Sequence, residues 1–172
     1  MADFFNKCLP RQDRPAFIFI LVTGTINHFL YEWTNSAFFA LFCPINESTW
    51  EHLKLLFFPF LMWILWQYFR KRPDVSSYFY YRLLAILCGM LCIVTLFYTY
   101  TGIIGRNFLV ADILIFIAGI IFTLRCIPEF TKTLSYIPSG SAVYTAWAAL
   151  LLCFFLFTCY PPDLPLFIPP AS

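Results

Sequence analysis

Five long apolar segments follow one another along the chain, separated by short polar connections. Each has roughly 18 residues or more, which at about 1.5 Å of helical rise per residue suffices to cross the hydrocarbon core of a bilayer. The segments run over about 16–34, 52–69, 79–104, 108–127 and 141–160. We therefore predict a single transmembrane domain, 1–172, folded as an all-α, polytopic membrane helical bundle of about five transmembrane helices.

The connection between the first two segments is itself partly apolar. Residues 36–43 are too few to span a bilayer and too apolar for an ordinary loop. They predict a short interfacial or re-entrant segment that ends at Pro44. Pro59 lies inside the second segment, where a proline should kink the helix.

Basic residues are distributed unevenly between the two sides of this bundle. Of eleven Lys and Arg, nine fall on the side of the N-terminus and only Lys54 and Arg106 on the other. The nine are Lys7, Arg11, Arg14, Arg70, Lys71, Arg72, Arg82, Arg125 and Lys132. Because basic residues accumulate on the cytoplasmic side, the N-terminus is predicted in and the C-terminus out, in a multi-pass protein of the cell membrane.

Composition excludes a soluble domain. The chain is 61% hydrophobic and 12% charged, whereas a soluble domain is roughly a quarter charged, so membrane lipid must cover the bundle. A net charge of +2 reflects orientation signals at the helix ends and indicates no nucleic-acid partner.

Small residues on two of the predicted helices suggest faces for close helix contact, which a homo-oligomer or another membrane protein could use. On the third segment the face comprises Cys88, Cys92, Thr95, Thr99, Gly102 and Arg106. On the fifth it comprises the pairs Ala142 with Ala146 and Thr145 with Ala149.

The seven cysteines are expected to be mostly free thiols, since most lie in apolar stretches. Cys43 and Cys159 are both predicted near the outer surface, where a disulfide between them is an alternative. The proline-rich end after Tyr160 predicts an extended segment lying against that surface.

The first candidate for chemistry lies on the outer half of the first helix. Gly24, Thr25, His28 and Glu32 recur at helical spacing and predict a polar stripe facing the bundle interior. His28 and Glu32 are four residues apart, so their side chains meet on one face. They could supply two metal ligands, or form a structural pair.

The second candidate is the polar run 46–54, which opens the second helix. Ser48 and Glu51 have the spacing of a capping box, which accounts for them without function. Glu47 and His52 have no such explanation. Lys54 could neutralise Glu51 or Glu47 and so reduce the charge available to a metal.

We predict a site where the first two helices meet, with His28, Glu32 and His52 as metal ligands. Glu47 or Glu51 would be a fourth ligand or the catalytic general base, and zinc is a suitable divalent metal. Arg106 and Asp112 form an alternative centre, either a plain ion pair or an anion site for a substrate.

The signature His28-Phe29-Leu30-Tyr31-Glu32-Trp33 with the run 44–54 resembles a family of small bacterial integral-membrane proteins of unknown function. The resemblance extends to Phe57-Phe58-Pro59, Tyr100-Thr101-Gly102 and Tyr160-Pro161-Pro162. The end of the chain departs from the family pattern at Phe167-Ile168-Pro169-Pro170. The resemblance implies a multi-span bacterial membrane protein and brings no activity.

Three functions are compatible with these residues. One is a metal-dependent hydrolase acting on a lipid or lipid-linked substrate, and another is a protein that binds or transports an ion or small solute. The third is an accessory membrane subunit whose polar cluster only staples helices together.

Overall fold

The computed structural model describes residues 9–170, and these form a helical bundle without a strand. The helices are α1 (Arg14–Thr34), α2 (Ala37–Ala40), α3 (Thr49–Lys71), α4 (Val75–Ile104), α5 (Leu109–Thr133) and α6 (Gly140–Cys159), followed by one 3-10 turn at Pro165–Phe167. The predicted all-α class is confirmed. Lys7 and Cys8 lie outside the described residues.

Each of the five predicted segments coincides with one long helix. Three of these, α4, α5 and α6, are long and apolar enough to cross a membrane. The short helix α2 occupies the partly apolar connection, and α3 continues as one helix through Pro59.

Local chemistry fixes the ends of the helices. The Ser48 hydroxyl accepts a hydrogen bond from the Glu51 amide at 3.4 Å at the start of α3. The Asp74 carboxylate accepts one from the Ser77 amide at 3.0 Å at the start of α4. Gly105 ends α4 with φ +82°, a left-handed conformation that costs glycine little.

Helices α4 and α5 form an antiparallel hairpin with a very close crossing. A Cβ on Gly89 would lie 1.8 Å from Thr123 Oγ1, and one on Gly119 would lie 2.5 Å from Ile93. The closest contacts are thus made by Gly89 and Ile93, each one position after Cys88 and Cys92 of the predicted small-residue face. A shift of one residue turns a helix face by about 100°.

The outer part of that predicted face is exposed, as is the small-residue face of α6. The exposed residues are Thr95, Thr99, Gly102, Arg106, Ala142, Thr145, Ala146 and Ala149. Contact of these faces with another copy or another membrane protein stays a prediction.

Helix α6 and the C-terminal segment pack beside α3 and α4. The Trp147 indole donates to the Phe79 carbonyl at 3.2 Å, and the ring of Phe167 lies 5.1 Å from that of Trp50 in the first turn of α3. The proline-rich end thus lies against the bundle, with one 3-10 turn in it. All six described cysteines are free thiols, so Cys43 and Cys159 are not bridged.

Helices α1 and α3 run antiparallel, which brings the end of α1 to the start of α3. Gly24 lies against Leu55, and His28 lies against His52. We call this the histidine end of the bundle. The opposite end, where Arg14 begins α1 and Lys71 ends α3, is the basic end.

Candidate functional site

The approach of α1 to α3 sets the position of the two histidines. A Cβ on Gly24 would lie 2.6 Å from the Leu55 carbonyl oxygen, so only glycine allows this crossing. His28 lies one turn beyond Gly24, and His52 one turn before Leu55. Their rings consequently meet edge to face, with centroids 5.1 Å apart.

Glu47 joins the histidines from the loop before α3. Its Oε2 lies 3.3 Å from His52 Nε2, and its side chain is 65% exposed. One ligand atom from each of His28, Glu47 and His52 lies within 4.8 Å of the other two. Three side chains of two types common as zinc ligands, imidazole and carboxylate, therefore converge from two helices and a loop.

Hydrogen bonding orients the His52 ring. Its Nδ1 lies 3.0 Å from the Ser48 carbonyl oxygen, which can only accept, so Nδ1 carries a proton. In the neutral ring Nε2 then presents a lone pair toward the Glu47 carboxylate. Two acceptors facing each other at this distance need a cation between them, either a proton on His52 or a metal ion.

Glu47 is an ionised carboxylate at neutral pH. Its hydrogen bond with His52, helped by the charges of His52 and His28 when protonated, holds the pKa of Glu47 below its usual range. The site thus offers a negative ligand together with two imidazoles, a donor set suited to a divalent cation.

Glu51 and Lys54 form a buried ion pair beneath this site. Lys54 Nζ lies 2.7 Å from Glu51 Oε2, and the side chains are 0% and 3% exposed. The ammonium also donates to the carbonyls of Ala40 at 2.9 Å and Cys43 at 3.3 Å. Lys54 therefore neutralises Glu51 and leaves the charge of Glu47 uncompensated by lysine.

The capping box forms only in part. Ser48 caps the Glu51 amide as predicted, but the Glu51 carboxylate does not return to the Ser48 amide. The Asn46 side chain takes that amide at 2.9 Å, while Glu51 accepts from the Ile45 amide at 3.0 Å and lies 3.3 Å from the Thr158 hydroxyl. Glu51 anchors the loop that carries Glu47.

A cavity of about 90 Å³ opens beside His52 and Glu47, toward α4 and α5. Thr49, Asn107 and Asp112 supply the rest of its polar lining, and Pro170 of the C-terminal segment also lines it. The Tyr100 hydroxyl donates to Asp112 and accepts from the Phe108 amide. Asp112 therefore lines the same small cavity as two of the candidate ligands, Glu47 and His52.

The predicted Arg106–Asp112 ion pair does not occur among the described residues. Arg106 instead lies over the Phe108 ring, at 4.7 Å from its centroid. The exposed guanidinium remains in the turn while the helical start of α5 directs Asp112 inward to Tyr100.

Glu32 and Thr25 lie outside the candidate ligand group, and both are exposed. The polar stripe of α1 faces the interior only at Gly24 and His28. The Thr25 hydroxyl is satisfied by the Leu21 carbonyl at 2.8 Å, so it needs no interior partner. Glu32 lines a second cavity of about 120 Å³ that also contacts His28 and Glu47.

Residues 14–171 match a family described as "Family of unknown function (DUF6512)". The chain belongs to this family. No curated protein matches the chain at a significant level, and no solved structure does either.

Within this DUF6512 chain, two site residues were missed by sequence reasoning. In the sequence Tyr100 stands out only through the family resemblance, and Thr158 does not stand out at all. Tyr100 and Asp112 are equidistant in sequence from Arg106 in the α4–α5 turn, so an antiparallel hairpin would have predicted their contact. No comparable signal connects Thr158 with Glu51, 107 positions away.

Proposed function

We propose that this DUF6512 protein is a multi-pass protein of the cell membrane that binds a divalent metal, such as zinc, through His28, Glu47 and His52. The observation that carries the proposal is the convergence of three ligand atoms within 4.8 Å. In its topology α1, α3, α4, α5 and α6 cross the bilayer with the N-terminus inside. The uneven distribution of basic residues supports this orientation and puts the histidine end outside.

The reaction class we propose is hydrolysis of a lipid or lipid-linked substrate at the outer leaflet. His28, Glu47 and His52 would hold the metal, and a zinc ion bound there would activate a water molecule for hydrolysis, as catalytic zinc sites do. The cavity beside His52 and Glu47 supports this proposal, because it leaves space next to the candidate ligands. Its lining is part polar and part apolar.

The neighbouring carboxylates take different parts in this proposal. Asp112 is the candidate general base, since it lines the cavity without belonging to the ligand group. Glu51 is a positioning residue, because its oxygens contact Lys54, Ile45 and Thr158. Glu32 lines the second cavity and would attract a metal ion toward His28 and Glu47.

Elemental analysis of detergent-purified protein tests the metal site. We expect about one zinc, iron or manganese ion per chain in the unaltered protein. His28→Ala and His52→Ala should each lose nearly all of it, because two remaining ligands do not hold a metal through purification. Glu47→Gln should retain less than the unaltered protein.

Glu129→Gln is the matched control, since Glu129 is an exposed carboxylate on α5 near Lys132 at the basic end. It should leave the metal content unchanged. Metal-free protein after purification without chelators would reject the metal site and the hydrolase together, and would leave solute transport or a purely structural cluster. Bound metal without hydrolysis of any lipid-linked ester would reject only the reaction.

The affinity for the metal should fall as the pH is lowered, because protons compete with the metal for the histidine ligands. A histidine must be neutral to bind a metal ion, whereas the Glu47 carboxylate stays ionised because its pKa is lowered. We expect the affinity to be level at alkaline pH and to fall on acidification, with the slope of its logarithm approaching about two once both histidines are protonated. Competition titrations with a zinc indicator, calibrated at each pH, measure this slope, and a level profile would contradict ligation by both histidines.

A further inference from the structure

A larger cavity, of about 420 Å³, lies at the basic end of the bundle, among α1, α3, α4 and α5. Its volume is in the range of small-molecule sites. Its polar lining includes Gln12, Gln67, Lys71, Arg82 and Lys132, and its apolar lining includes Phe60, Trp63 and Leu124. A basic rim over apolar walls suits an amphiphile that carries negative charge.

Arg82 is the lining residue with a buried donor that no protein group among residues 9–170 satisfies. It lies seven residues into α4, within a helix that is apolar enough to span the membrane. Its guanidinium lies 3.4 Å from the centroid of the Tyr78 ring and donates to the Tyr78 carbonyl at 3.1 Å. The buried Nε has no hydrogen-bond partner, and no carboxylate pairs with Arg82 in the described part of the chain.

The Tyr78 ring holds this guanidinium in place. Its hydroxyl donates to the Ile64 carbonyl at 2.8 Å, so the ring is fixed between α3 and α4. A guanidinium that is rigid and has donors free is preorganised for the oxygens of a phosphate, which it can bind through two parallel hydrogen bonds.

The charges around the cavity also favour an anion. Lys71, Arg82 and Lys132 face a single lining carboxylate, Asp13. Lys132 has an exposed neighbour, Glu129, at 3.9 Å, a distance at which an exposed pair is weak. Positive charge thus exceeds negative charge by two among the residues that line the cavity.

We propose that this cavity binds a phosphate group, and specifically the phosphate of an anionic phospholipid in the inner leaflet. Arg82 would contact the phosphate oxygens, Lys71 and Lys132 would provide attraction at the rim, and the apolar wall would hold part of an acyl chain. Basic pockets between membrane helices on the cytoplasmic side recognise such headgroups. The site is at the opposite end from His28 and His52 and does not depend on the metal proposal.

Titration of the full-length protein in neutral detergent tests the site. The probes are dihexanoyl phosphatidylglycerol, dihexanoyl phosphatidylcholine and inorganic phosphate, and the readouts are tryptophan fluorescence, since Trp63 lines the cavity, and thermal stability. We expect saturable binding of phosphatidylglycerol. Arg82→Gln should weaken it about tenfold or more, as expected when a charge-assisted hydrogen bond is lost.

Lys71→Gln is a second test that keeps Arg82 in place, and Arg70→Gln is its matched control. Arg70 precedes Lys71 on α3 but lies over Trp66, away from the cavity lining. Weaker binding in Lys71→Gln and unchanged binding in Arg70→Gln support the site, even if Arg82→Gln does not fold. Inorganic phosphate that binds as tightly as the lipid would identify a free phosphate as the source. Equal binding of phosphatidylcholine, or equal loss in Lys71→Gln and Arg70→Gln, would overturn the proposal.

Discussion

Replacing Lys54 by methionine should destabilise the protein by about 3–5 kcal/mol, because it leaves the buried carboxylate of Glu51 without its cation. Methionine keeps most of the volume of the lysine stem, so packing around α3 is nearly preserved. The loss also removes the donors to the Ala40 and Cys43 carbonyls. The free energy of unfolding in mixed micelles measures the effect.

A double substitution separates the unpaired charge from the other losses. Lys54→Met combined with Glu51→Gln should recover much of the stability, because a neutral amide costs less to bury than an unpaired carboxylate. Lys132→Met is the control, since Lys132 is an exposed lysine three residues from a glutamate and should change stability by about 0.5 kcal/mol or less. Equal effects of Lys54→Met and Lys132→Met would contradict the structural role of the buried pair.

Gly24→Ala should separate α1 from α3 and weaken metal binding without removing a ligand. The added Cβ would lie 2.6 Å from the backbone oxygen of Leu55 and 2.7 Å from Phe116 Cζ. The phenyl ring can rotate away, but the carbonyl cannot, so the helices must move apart. We expect an affinity loss of about 10–100-fold, comparable with the loss of an outer-shell contact to a metal ligand, and overpacking of about 1–3 kcal/mol.

Gly102→Ala is the matched control for this substitution. Gly102 is also inside a long helix, but a Cβ there meets nothing within 4 Å. Alanine should therefore be neutral or stabilising by up to about 1 kcal/mol through helix propensity, with the metal affinity unchanged. A Gly24→Ala protein that binds metal as tightly as Gly102→Ala would show that the α1–α3 approach does not position His28 and His52.

The two proposed sites divide the bundle by charge. The histidine end holds an ionised carboxylate and two imidazoles beside small cavities. The basic end holds the Arg82 guanidinium, which pairs with no carboxylate among the described residues, in a larger cavity. A cation ligand is expected at one end and an anion ligand at the other, so the metal and lipid experiments can fail or succeed separately.

The sequence alone determined the helices, because long apolar runs admit little else and their ends carry recognisable caps. Ser48 at the start of α3 and Gly105 at the end of α4 are examples. It also brought together His28, Glu47 and His52 as candidates, since polar residues beside apolar segments stand out. It favoured Glu32 as the third ligand and left Glu47 as a fourth ligand or general base.

That choice depends on tertiary structure, because rotation and crossing of helices are set by packing that sequence spacing does not contain. The contact of Gly24 with Leu55 placed His28 against His52, while Glu32, one turn farther along α1, is exposed at the surface. The loop that carries Glu47 is held by Lys54 through carbonyls 11 and 14 positions away. These long-range contacts decide which of the nearby acidic side chains reaches the histidines, because they fix the backbone positions from which those side chains extend.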